Sequence, residues 1–181
     1  MDPAGFQPPP APPPPPPPPS SGLRLLGIAQ CALGVFGLGA APLTLITRFI
    51  ASDPASRRVQ ELLWDGWLGA WTYLSLALGT LLAAGLIVAG VGVVRAVPWG
   101  RTLTLAHAVG AISHAVVGQI VAVALLYPAL WELGSSGSAV ERGGAIGGVV
   151  GGLFGSLVAL VLPVVELYVM TRPSVKAIFA R

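Results

Sequence analysis

The sequence predicts an all-α fold: a polytopic membrane protein built as a four-transmembrane-helix bundle behind a disordered, proline-rich N-terminal tail. Three observations predict it. The chain is 54% hydrophobic and 9% charged, with a mean hydropathy of +0.80, where a soluble domain carries about 25% charged residues. The few charges fall so that 25–47, 66–94, 102–131 and 143–165 contain no Asp, Glu, Lys or Arg. Each stretch reaches the roughly 20 residues that a membrane span requires. The third observation is a run of seven glycines between Gly143 and Gly155, in two ladders spaced by four: Gly143, Gly147, Gly151, Gly155 and Gly144, Gly148, Gly152. In water this run costs a helix roughly 6–7 kcal/mol against alanine. A bilayer offers the backbone no other hydrogen-bond partner, so the segment stays helical and its bare faces admit a neighbouring backbone.

Taken in order, the chain divides into a tail over 1–22, a transmembrane domain over 23–172 and a second tail over 173–181. Positions 8–19 are proline except for Ala11, which holds the backbone in polyproline II as a stiff spacer of roughly 37 Å at about 3.1 Å per residue. Such a run serves either as a plain polar leader or as a partner-binding tether. A signal peptide is the competing account of the first apolar stretch, with Gly39, Ala40 and Ala41 as the small residues. The proline-rich leader is a poor n-region, however, and the apolar stretch outruns an h-region.

Between the first two spans, Asp53 and Pro54 have the form of an N-cap followed by proline at the first helical position. Val59, Leu62, Leu63 and Trp64 then make an apolar side opposite Arg57, Arg58 and Glu61, which predicts an interfacial helix over about 54–64, or a lid over the bundle. Gly134, Ser135, Ser136, Gly137 and Ser138 read as a flexible connection into the fourth span, about 143–171. Arg24, Arg95, Arg101, Arg172, Lys176 and Arg181 fall on one side of the membrane, and Arg48, Arg57, Arg58 and Arg142 fall with five acids on the other. This bias places both termini in the cytoplasm. Trp64, Trp67, Trp71 and Trp131 are expected to form an outer aromatic belt, with Trp99 and Tyr168 marking the inner face.

Inside the spans the polar residues are few: Gln30, Cys31, Ser75, His107, Ser113, His114, Gln119 and Ser156, with Glu166 near the end of the fourth. Gln30 and His107 each lie six residues inside a basic residue, and Glu166 lies six before Arg172, so the three share a depth of about 9 Å. Gln30, His107, His114 and Glu166 form the candidate polar layer, in which a His107–Glu166 pair would respond to protons. The alternative is that a span starting at Gly144 ends near Pro163 and leaves Glu166 among headgroups. Pro163 is expected to kink the fourth helix and free the carbonyl of Ala159.

Ala106, Gly110, His114 and Gly118 repeat at intervals of four, a groove expected to pack on the glycine ladder of the fourth helix. The second ladder is left for Gly27, Gly34 and Ala41 of the first helix, or for another subunit. Phosphate loops, HExxH, GxSxG and cysteine clusters are absent, Cys31 is the lone cysteine, and two histidines seven apart are no ligand set. Catalysis, a cofactor, a metal and nucleic-acid binding are therefore not expected. The expected partners are the lipid bilayer and either a second copy or another membrane protein. The expected function is helix–helix association as an assembly, scaffold or accessory subunit, the alternative being a small transporter or channel.

The inner turn Arg95, Ala96, Val97, Pro98, Trp99, Gly100, Arg101 and the ending from Tyr168 through Arg172, Pro173, Val175 and Lys176 to Phe179, with the proline-rich leader and four spans, resemble small uncharacterised bacterial four-helix inner-membrane proteins. The resemblance implies an inner-membrane location and carries no activity.

Overall fold

The computed structural model describes residues 20–50 and 54–180. The proline run and the Asp53 cap lie outside the described residues. Among the described residues the chain is entirely helical, with no strand: α1 (Ser21–Ile50), α2 (Pro54–Trp64), α3 (Gly66–Val94), α4 (Pro98–Val121), a π-helical turn (Ala122–Leu126), α5 (Tyr127–Ser136), α6 (Ala139–Thr171) and α7 (Pro173–Phe179). Four of these runs are long and apolar enough to cross a membrane: Ser21–Ile50, Gly66–Val94, Pro98–Ser135 and Arg142–Thr171.

Packing is serial. α1 lies on α3, α3 on α4 and α4 on α6, while α2 covers one end of α3 and α5 lies against α6. Close approach between α1 and α3 follows from small residues on both. A Cβ on Gly27 would lie 2.8 Å from the Gly90 carbonyl oxygen, and one on Gly34 would lie 2.7 Å from that of Ala83. Helix one is thus spent on α3, where Ala83 and Gly90 let the backbones meet, and not on the glycine ladders of α6. The tight turn from α2 into α3 uses Gly66 at φ +59, a left-handed conformation that a Cβ would penalise.

The third span runs further than its charge-free stretch, because α4 starts at Pro98, placed at the first helical position where its missing N–H costs nothing. Its π-helical turn has a local cause. Pro128 cannot donate to the carbonyl four residues back and its ring crowds that turn. The helix widens there, and the Tyr127 N–H bonds to the Ala122 carbonyl, an i→i+5 bond that keeps the ladder paired around the proline. The connection that the sequence places over 134–138 is narrower in the structure, since α5 continues through Ser136. α6 remains helical through Pro163, which is buried.

At one end, termed proximal, Leu23, Val93, Met170 and Phe179 form a buried apolar cluster. The closing segment, read as a tail in sequence, folds into α7 and delivers Phe179 to this cluster. Arg101 Nε donates to the Met170 carbonyl at 3.0 Å, satisfying an otherwise orphan acceptor in the last turn of α6. Arg172 stacks on Tyr168 at 4.3 Å.

The distal end departs from the aromatic belt at Trp71, which faces Gly118 of α4, and at Trp64. Trp64 is 6% exposed, meets Tyr73 edge-on at 5.1 Å and donates from Nε1 to Gln60 Oε1 at 2.7 Å. Trp67 and Trp131 remain at the surface, at 87% and 71% exposure. The difference arises because α2 folds its apolar side, Leu62, Leu63 and Trp64, toward α3.

Candidate functional site

One polar cluster ties α4 and α6 to α1, which is otherwise joined to them through α3. From α1, Gln30 Nε2 donates to Glu166 Oε1 of α6 at 2.9 Å and to Thr104 Oγ1 of α4 at 3.3 Å. Thr104 in turn donates to the Gly100 carbonyl at 2.8 Å. The second carboxyl oxygen, Glu166 Oε2, meets His107 Nδ1 of α4 at 2.8 Å. Gln30, Thr104 and Glu166 are wholly buried, and the His107 side chain is 8% exposed.

A carboxylate accepts at both oxygens, so the geometry assigns the N–H to Nδ1 of His107 and leaves its Nε2 for the other face of the ring. A lone buried carboxylate would be very costly in hydrocarbon. The paired arrangement, with an amide donor on the opposite oxygen, offsets that cost. Gln30 Oε1 is the exception: it is buried and meets no protein donor. Such an acceptor carries a penalty of about 1–3 kcal/mol.

The structure therefore brings together Gln30, His107 and Glu166 of the candidate layer, and puts Glu166 inside the helix packing and not at its margin. It leaves His114 out. His114 Nε2 lies 2.8 Å from Ser75 Oγ of α3 and its ring stacks on Trp71 at 6.3 Å, so it belongs to a separate α3–α4 contact. Thr104 is the member that the sequence reading does not single out. The available signal was its place one turn before His107 on the same helix face. Gln119 donates to Tyr127 Oη at 3.1 Å, Ser156 to the Leu153 carbonyl at 2.8 Å, and Cys31 Sγ to the Ile87 carbonyl at 3.6 Å.

The glycine faces are distributed differently from the sequence expectation. On α4, a Cβ at Gly110 would lie 3.2 Å from Leu82 and one at Gly118 3.8 Å from Trp71. The α4 groove is thus filled by bulky side chains of α3 and is not packed on α6. On α6, Gly148 faces Leu130 at 3.4 Å and Gly152 faces the Tyr127 hydroxyl at 3.0 Å, both in α5. Gly143, Gly144, Gly147, Gly151 and Gly155 meet nothing within 4 Å. Beside them Phe154, Leu157, Val158 and Val161 are 61–70% exposed. Among the described residues, none covers this side of α6.

No family model, curated protein or solved structure matches this chain.

Proposed function

We propose that this chain is a non-enzymatic integral membrane protein that acts through helix–helix association, as an assembly, scaffold or accessory subunit. In this reading it spans a bacterial inner membrane four times, with both termini cytoplasmic, and its bare α6 side receives a second copy or another membrane protein. The observation that supports it is that a Cβ on five of the seven ladder glycines would meet no other part of the chain within 4 Å among the described residues. Small residues in a bilayer contribute by letting helices approach, and here no helix of the same chain uses them.

The same fact makes the test clean. Gly151→Leu places its side chain in open space, so it leaves the monomer intact while blocking a close helix contact. Crosslinking in native membranes should show the wild-type complex lost in this variant. An unchanged complex refutes the association reading.

A second reading, a small proton-responsive transporter or channel, is favoured by the buried Gln30–Glu166–His107 cluster. Vesicles reconstituted with the chain should then pass a flux between pH 5 and 8 that His107→Ala reduces at least severalfold. No flux above protein-free vesicles refutes it.

A further inference from the structure

The distal half contains a chamber of about 550 Å³ between α1, α3 and α4, open to the surface and bordered by Leu63 of α2. Its volume falls within the roughly 300–1,000 Å³ of small-molecule sites. Small residues make the space: Gly37, Ala40 and Ala41 on α1 face Gly79 on α3 and Gly118 on α4 across it. Its hydroxyls are already committed. Thr44 donates to the Ala40 carbonyl, Thr72 to those of Leu63 and Leu68, Thr80 to that of Leu76, and Ser75 pairs with His114. Water or a polar ligand would find few partners here, whereas a hydrocarbon chain needs none.

A second cavity, of about 310 Å³, has the opposite chemistry, being lined by Arg48, Arg57, Gln60, Glu61, Trp64 and Asp65. The two linings adjoin: Thr44 of the chamber is one turn from Arg48 on α1, and Leu63 precedes Trp64 on α2. Arg48 is held at this rim by its hydrogen bond to Tyr73 Oη and by stacking over Trp64 at 5.4 Å. The rim combines two guanidinium groups with two carboxylates, and so complements a ligand carrying both charges better than an anion alone.

We propose that the distal half binds one zwitterionic phospholipid, with an acyl chain in the chamber, its phosphate on Arg48 and Arg57, and its ammonium on Glu61 and Asp65. The site rests on membrane insertion as read above and is independent of association through α6. The placement also suits depth, because α2 is amphipathic and such helices lie at headgroup level.

The test uses the full chain in vesicles of equal phosphatidylethanolamine and phosphatidylglycerol, re-extracted in mild detergent and weighed by native mass spectrometry. Co-flotation with the vesicles is checked first. A chain that does not float refutes membrane insertion and this site with it. For a chain that floats, the expected result is one phosphatidylethanolamine retained per chain. Gly79→Leu should lower that retention at least fivefold, because a side chain at Gly79 meets nothing within 4 Å and enters the chamber without displacing a helix. Gly85→Leu, equally unobstructed but outside the chamber, should retain lipid as the wild type does. Arg48→Gln should erase the preference between the two lipids. The proposal is overturned by a wild-type chain that retains no lipid, by equal retention in Gly79→Leu, or by a preference for phosphatidylglycerol.

Discussion

Two glycine-to-alanine changes, Gly90→Ala in α3 and Gly151→Ala in α6, should separate structural glycines from spare ones. A Cβ on Gly90 would lie 2.6 Å from the Gly27 carbonyl oxygen and 2.7 Å from Cys31 Sγ. Ordinary contact starts near 3.4 Å, so α1 must retreat by about 0.8 Å, enough to forfeit roughly a quarter to a half of the local dispersion energy. Overpacking of this kind costs about 1–3 kcal/mol. Both changes gain the same helix propensity, up to about 1 kcal/mol, and that gain cancels in the comparison. Gly90→Ala should therefore be about 1–3 kcal/mol less stable than Gly151→Ala, whose Cβ meets nothing. The assay is reversible unfolding in mixed micelles, at a dilution that keeps the chain monomeric. Stabilities within about 0.5 kcal/mol of each other, the ordinary scatter of independent sites, would refute the close α1–α3 contact.

A double-mutant cycle of Gln30→Leu with Glu166→Leu should return a coupling of about 0.6–1.7 kcal/mol, from the average to the maximum of such cycles for hydrogen bonds between membrane helices. A coupling indistinguishable from zero in the same unfolding assay would mean that the two side chains do not meet. Ala96 turns α3 into α4 at φ 52, a left-handed conformation costing a residue with a Cβ roughly 1–2 kcal/mol. Ala96→Gly should thus raise stability, by about 0.5–1 kcal/mol after the entropy cost of glycine. A loss of stability in that variant would contradict the turn geometry.

The helices were legible because their causes are local. Four charge-free stretches leave little alternative to spans, and the alternation of Leu62, Leu63 and Trp64 with Arg57, Arg58 and Glu61 identifies α2 and the side it buries. Depth counting from Arg24, Arg101 and Arg172 also placed Gln30, His107 and Glu166 in one layer. Rotation about each helix axis was not legible. His114 follows His107 by seven residues, yet drift along the helix and the pull of Ser75 and Trp71 turn it toward α3. The glycine ladders show the same limit, since a small-residue stripe states that something can approach and leaves open which element does. Gly110 and Gly118 receive Leu82 and Trp71, while the denser run on α6 receives only Leu130 and Tyr127. The π-helical turn had a visible cause in Pro128, but a proline inside a span is equally compatible with a kink, and Pro163 and Pro42 lie within helices that keep their α assignment.

The hydrogen bond between Gln30 and Glu166 also imposes an order on biosynthesis. Gln30 belongs to α1 and Glu166 to α6, 136 residues later in the chain. Until α6 is made, the amide has Thr104 as its partner, and the imidazole of His107 waits without its carboxylate. A chain stalled before α6 therefore carries an unmet polar demand among its apolar helices.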